Sequence, residues 1–439
     1  MCKALIDYYK DKKILILGFG REGQSTYNYI RRFLPEQKLA IADKNEIKID
    51  DGNVTVHTGE NYLESMAHYD IVMKTPGISL RGVEIPQGVE VTCQTDLFLR
   101  FAPCTKIGIT GTKGKTTTST LIYEVIAASG AKCSLIGNIG VPVFEALDSC
   151  KDSVAVIEMS SHQLEFSRSS PHIAVMTNLY PEHLDHYNGF EGYANAKYNI
   201  MKYQTRDDYL IYNPDSDELV KMLDLDSVKS HKIPVGLSAA ENDDFLKSLT
   251  ELNGRLLGEH NHQDICFAAQ VAKILGIGND SVKKGVENFK GIPHRLEPVG
   301  TFKGISFYND SIATIPHAVK CGVEAIGNVN TLIFGGLDRG IGYDEFEDYL
   351  MTCPVENLIG LPETGHNIID ALLSKGCDKK TVKAADMSQA VEAAYELTEK
   401  GRSCLLSPAA SSYNVYKNFE YKGNHFKELV KQLGKEEDN

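Results

Sequence analysis

No stretch of this 439-residue chain approaches the roughly 20 consecutive apolar residues that a membrane-spanning helix needs, so no contact with a membrane is expected. The opening Met1-Cys2-Lys3-Ala4-Leu5-Ile6-Asp7-Tyr8-Tyr9-Lys10 lacks an apolar core of signal-peptide length, which points to a cytoplasmic location. Basic residues are outnumbered, 46 Lys and Arg against 59 Asp and Glu, leaving a net charge of −13. A nucleic-acid surface is therefore not expected, and an anionic substrate must be met by local loops. None of the ten cysteines forms a C-x-x-C pair, which favours reduced thiols in a core over a disulfide frame or a structural zinc site. There is no tandem repeat or low-complexity tract, and residues 435–439 read as a frayed, charged tail.

What is present is an ordinary globular composition, 42% hydrophobic and 24% charged. At about 150 residues per domain the length suggests three domains. Short apolar runs alternate with longer amphipathic stretches throughout, the pattern of an α/β protein with parallel sheets. Three such blocks are expected. Residues 1–103 form an N-terminal Rossmann-like block, 104–296 a central P-loop ATPase-like block with a parallel or mixed sheet, and 297–439 a C-terminal Rossmann-like block.

The most informative run is Lys106-Ile107-Gly108-Ile109-Thr110-Gly111-Thr112-Lys113-Gly114-Lys115-Thr116-Thr117-Thr118, a strand feeding a glycine-rich turn that opens into a helix. Glycines let backbone N–H groups close around phosphate, and the helix N-terminus adds partial positive charge. Lys115 can reach the outer phosphates, and the Thr116 hydroxyl can ligate Mg²⁺. The loop is a variant. Ile109 stands where a strict P-loop has its first glycine, and Gly108 falls one residue early.

A second loop, Gly18-Phe19-Gly20-Arg21-Glu22-Gly23, follows the first strand, with Asp43 at the end of the next one. Alone it points to a dinucleotide cofactor, as in an NAD-linked dehydrogenase, or to no more than a tight strand–helix crossover. The separate triphosphate cradle shifts the reading: one loop holds ATP and the other a substrate bearing a pyrophosphate, such as a UDP-sugar. Ligands gather at the carboxyl ends of parallel strands, so Glu158 should sit beside Thr116 as a metal ligand. His183 reads equally well as a cation ligand or as a solvated loop histidine, and Lys197 as a surface lysine. A nucleotide-gated regulatory protein without turnover is the remaining alternative, and Lys115, Glu158 and His183 count against it.

Residues 111–118, Gly137-Asn138-Ile139-Gly140, residues 158–165, Glu182-His183-Leu184-Asp185, Lys197, His260-Asn261, Pro293-His294-Arg295 and Asn309-Asp310-Ser311 together resemble the Mur ligases of peptidoglycan synthesis, over nearly the whole chain. Residues 18–23, Thr75-Pro76-Gly77-Ile78, Gly335-Gly336-Leu337-Asp338-Arg339-Gly340, residues 405–412 and Lys417-Asn418-Phe419-Glu420 are similar to the D-glutamate-adding branch. The resemblance implies ATP-dependent ligation of D-glutamate to UDP-N-acetylmuramoyl-L-alanine through an acyl phosphate, by a monomer. It implies that Gly111, Thr112, Lys113, Gly114, Lys115, Thr116, Thr117, Asn261, Arg295 and Asp310 bind ATP. Two Mg²⁺ ions would be held by Thr116, Glu158, His183 and a carbamate formed from CO₂ on Lys197. Gly18, Gly20, Arg21, Asp43, Lys44, Asn45, Thr75, Asn138 and His183 would line the UDP-substrate site. Thr314, Arg339, Ser412, Tyr413 and Phe419 would shape the D-glutamate site. Lys115, Glu158, His183 and Lys197 would carry the catalysis.

Three positions depart from the family pattern. Ile312 replaces a frequent lysine near the amino acid, Asp264 a frequent asparagine near adenine, and Asn45 a common basic residue near uridine.

Overall fold

Runs of aliphatic residues such as Ile14-Leu15-Ile16-Leu17 favour extended backbone and, being apolar at every position, form strands covered on both faces. The computed structural model describes residues 2–139, 141–184, 186–222, 228–238, 243–252, 259–338, 342–413 and 415–435. The first sheet comprises β1 (Ile14–Leu17), β2 (Leu39–Asp43), β3 (Val54–Thr58), β4 (Ile71–Lys74) and β5 (Glu90–Thr92) in the order β3-β2-β1-β4-β5. All of its pairings are parallel. The order reverses direction at β1, which puts the loop after β1 at a topological switch point.

The second sheet comprises β6 (Thr105–Thr110), β7 (Cys133–Gly137), β8 (Val154–Glu158), β9 (Ile173–Met176), β10 (Tyr209–Tyr212) and β11 (His231–Pro234), ordered β11-β10-β9-β6-β8-β7. It too is wholly parallel. One buried cluster includes Ile14 and Ile41 of the first sheet and Ile157 and Met176 of the second. Accordingly, residues 1–254 and 259–289 form one compact unit.

The other unit, residues 290–439, carries the third sheet. Its strands are β12 (Glu297–Phe302), β13 (Ile305–Asn309), β14 (Val329–Phe334), β15 (Asn357–Gly360), β16 (Lys380–Lys383) and β17 (Ser403–Leu406), ordered β12-β13-β17-β14-β15-β16. Here the alternating pattern misleads at one edge, because β12 pairs antiparallel with β13. The cause is local. Lys303 and Gly304 both have positive φ, +49° and +82°, the two-residue turn whose twist suits a tight hairpin.

Candidate functional site

The glycine-rich turn of residues 111–114 follows β6 and ends where the helix Lys115–Ala128 begins, with Gly114 in the left-handed region at φ +83°. A side chain at Gly111 would come within 1.9 Å of the Thr177 hydroxyl, so the backbone there must stay bare. Gly108, the glycine out of step with a strict P-loop, has another cause. A methyl group there would meet Met159 Sδ and Pro171 Cγ, each at 2.7 Å, so packing behind β6 demands it. The Thr112 hydroxyl lies 3.0 Å from the Tyr193 hydroxyl and accepts from the Tyr180 amide. Lys113 is exposed and pairs with Glu182 at 2.6 Å.

Two lysines converge beneath this turn. Lys115 Nζ donates to the Gly111 and Thr112 carbonyls at 2.9 Å each. Lys197 Nζ donates to the same Gly111 carbonyl at 2.7 Å and to Thr110 Oγ1 at 3.3 Å, and it lies 5.0 Å from the Tyr193 ring centroid. The reading of Lys197 as a surface lysine does not hold: the residue is 1% exposed, on the inner face of the helix Gly189–Lys202. Burial, reinforced by the Lys115 charge, pushes its amine well below the usual lysine range.

Glu158 ends β8 opposite Ile109 of β6 and is buried. One carboxylate oxygen accepts from Asn138 Nδ2 at 2.7 Å, while Oε2 is buried with no hydrogen-bond partner among the described residues. A buried, unpaired carboxylate oxygen next to a phosphate-type turn suits a divalent cation, and the half-buried Thr116 hydroxyl begins the neighbouring helix. His183 stands at the rim, 49% exposed at its side chain and with φ +55°. Its ring is 5.0 Å from that of His162 and 6.3 Å from that of Tyr193. Half-buried between two histidines, His162 is driven down to about 4, burial being the larger cause.

Asp43 shapes the first glycine-rich loop from within. Its two oxygens accept from the Phe19 amide and the Asn45 amide, each at 2.9 Å. Gly18 has φ +91°, and a methyl group on it would come within 2.1 Å of Thr75 Oγ1. Gly20 caps the helix Arg21–Phe33, and no atom lies near the position its side chain would take. Arg21 is exposed, and Lys44 pairs with Glu60 at 3.3 Å.

In the unit 290–439, the Asp310 carboxylate accepts from Ser407 Oγ at 2.8 Å and the Leu296 amide at 3.2 Å, and burial raises it to about 7. Arg295 is exposed, and Phe419 packs edge-on against His294 with ring centroids 5.8 Å apart. Thr314 is half-buried, Ser412 is buried and Tyr413 is exposed. Arg339 lies outside the described residues. Asn261 belongs to the other unit, on the helix Glu259–Ile274.

Three residues take roles that the linear reading does not give them. Asp264 accepts a hydrogen bond from Thr118, so it braces the first turns of the cradle's helix. Tyr193 bridges Thr112 and Lys197. Lys74 lies buried 3.2 Å from Glu165, which in turn lies 3.3 Å from His186. Only Lys74 leaves a local signal, a charge closing the apolar run Ile71-Val72-Met73.

Residues 109–272 match the Mur ligase middle domain. The chain is similar to the UDP-N-acetylmuramoylalanine–D-glutamate ligase of Acetivibrio thermocellus, 34% identical over 97% of each chain. It is 31% identical to the ligase of the same name from Clostridium botulinum, over 97% of this chain and 98% of the other. Among solved structures, MurF ligase from Thermotoga maritima in complex with ADP superposes with a TM-score of 0.60 at 16% identity, covering 97% of each chain. The UDP-N-acetylmuramate–alanine ligase MurC of the same organism gives 0.57 at 16% identity, over 96% of this chain and 100% of that one.

Proposed function

Because the chain belongs to the UDP-N-acetylmuramoylalanine–D-glutamate ligases, a branch of the Mur ligases, we propose that it joins D-glutamate to UDP-N-acetylmuramoyl-L-alanine at the expense of ATP. A carboxylate resists attack by an amine until one oxygen becomes a leaving group. The γ-phosphoryl of ATP passes to the alanine carboxylate, giving an acyl phosphate and ADP. The D-glutamate amine then adds to the acyl carbon, and the tetrahedral adduct expels phosphate as the amide forms.

The residues divide the work. Amides of residues 111–114 and the Lys115 ammonium meet phosphate oxygens, where Lys115 offsets charge that grows during transfer. Asn261, Arg295 and Asp310 hold the nucleoside end, the loops at Gly18, Thr75 and Asn138 the UDP substrate, and Thr314, Arg339, Ser412, Tyr413 and Phe419 the amino acid. Thr116, Glu158, His183 and carbamylated Lys197 would hold two Mg²⁺ ions, which supply electrostatic stabilisation of the phosphates when bound. Carbamylation needs an unprotonated amine, and the lowered basicity of buried Lys197 suits that step. The three blocks 1–103, 104–296 and 297–439 then serve the UDP substrate, ATP and amino acid respectively, in a cytoplasmic monomer. Among the described residues no helix is long and apolar enough to cross a membrane.

The observation that carries this reading is the meeting of Lys115 and Lys197 on the Gly111 carbonyl, at the strand end next to the unpaired oxygen of Glu158. Phosphate release with UDP-N-acetylmuramoyl-L-alanine, ATP and a panel of D- and L-amino acids tests it. Release dependent on D-glutamate is expected; release with another amino acid, or with none, would overturn it.

A further inference from the structure

Three loops follow the carboxyl ends of β13, β14 and β17, where ligands collect in parallel sheets. The first turns of the helix Phe419–Lys435 touch the first two, and the second of these abuts the third. A methyl group at Gly423 would come within 2.4 Å of Ser311 Oγ, beside Ile312. Lys422 Nζ donates to the Gly335 carbonyl at 2.9 Å. A methyl group at Gly336 would stand 3.1 Å from that ammonium and 2.2 Å from the Ser411 carbonyl oxygen.

Lys422 is 2% exposed, and no carboxylate among the described residues pairs with it. An ammonium has three donors, and one of them is engaged by Gly335. Ser412, next along the β17 loop, has a buried hydroxyl without a hydrogen-bond partner among the described residues. Two buried, under-satisfied donors, one on the helix and one on the β17 loop that precedes it, are costly unless something anionic meets them. D-Glutamate brings two carboxylates, and Ile312, on the third loop, brings no charge.

We propose that the Lys422 ammonium, together with the Ser412 hydroxyl, receives a carboxylate of the incoming amino acid, making Lys422 a specificity-determining residue of the ligase. The inference rests on the D-glutamate reading above and names a cation for it. Desolvation holds the ammonium down to about 8, in keeping with a charge that has no counter-ion until substrate arrives.

The test is steady-state kinetics of the full-length enzyme with each substrate varied, comparing Lys422→Gln, Lys422→Arg and wild type, with melting temperatures as the control for folding. Glutamine keeps a donor for the Gly335 carbonyl and removes the charge. The expected result is a tenfold or larger rise in the D-glutamate KM of Lys422→Gln, with the ATP KM within twofold of wild type and recovery to within threefold in Lys422→Arg. An unchanged D-glutamate KM, or an equal loss for ATP, overturns the proposal. A Gln variant that fails to fold while the Arg variant folds would assign the ammonium to the fold alone and overturn it too. A wild-type enzyme that ignores D-glutamate would instead sink the functional reading itself.

Discussion

Lys115 and Lys197 donate to the same carbonyl oxygen, yet their chemistry diverges because one is half-buried at a helix start and the other is sealed under it. Lys115 keeps access to whatever occupies the turn. Lys115→Ala should therefore leave the melting temperature near that of wild type and lower kcat by roughly 10²–10³, the usual cost of one preorganised contact to transition-state charge. Turnover within tenfold of wild type would remove it from the phosphate site. Lys197 is enclosed, and burial lowers the basicity of its amine. Lys197→Ala should be inactive, and a small carboxylate such as acetate should restore part of the rate by replacing the carbamate. A mutant that is inactive but indifferent to acetate would argue that the amine itself, or the packing of Tyr193, is what matters.

Within the β6-turn-helix element, Gly108 and Gly111 are three residues apart but answer to different demands. Gly108 lies under Met159 and Pro171, and Gly111 faces Thr177 with φ +152°. Gly108→Ala overpacks the layer behind the strand and should cost roughly 1–3 kcal/mol of stability, with the ATP KM of the folded fraction unchanged. Gly111→Ala must move the turn itself, so the ATP KM should rise sharply. Thermal melts and ATP titrations of both variants check the division; a larger ATP effect at Gly108 would refute it.

Across the molecule, each unit holds a buried carboxyl kept near neutrality. Glu22 lies in the first turn of the helix Arg21–Phe33 with Oε1 buried and unpartnered among the described residues. Burial raises it to about 7 against the opposing influence of Gln163 and Lys74. Asp310 is raised to about 7 in the other unit. For an acid whose folded value lies above its unfolded one, the native state binds more protons in the interval between them. Stability should therefore fall as pH rises from about 4.5 to 7 and level off above. With about 1.4 kcal/mol per unit, and some discount for partial exposure of the Glu22 side chain, the loss at Glu22 is about 2 kcal/mol. Glu22→Gln should melt with wild type at pH 5 and above it at pH 8. Equal melting temperatures at pH 8 would show that Glu22 ionises at little cost.

The sequence by itself determined what depends on neighbours along the chain. Strand–turn–helix order placed Gly111, Lys115 and Thr116 in one cradle. The apolar run ending in Glu158 placed that carboxylate at a strand tip, and aliphatic runs made three sheets legible. Tertiary structure alone decided what depends on burial and on partners distant in sequence. Lys197 and Lys422 look like surface lysines until a turn more than 80 residues away closes over each of them. Asp264 becomes a brace for the cradle only because its helix crosses Thr118, 146 residues earlier. Asp43 turns one oxygen onto its own loop and the other onto the glycine-rich loop 24 residues earlier. Desolvation and the geometry of distant hydrogen bonds set the charge of these groups, and neither leaves a trace in local residue order.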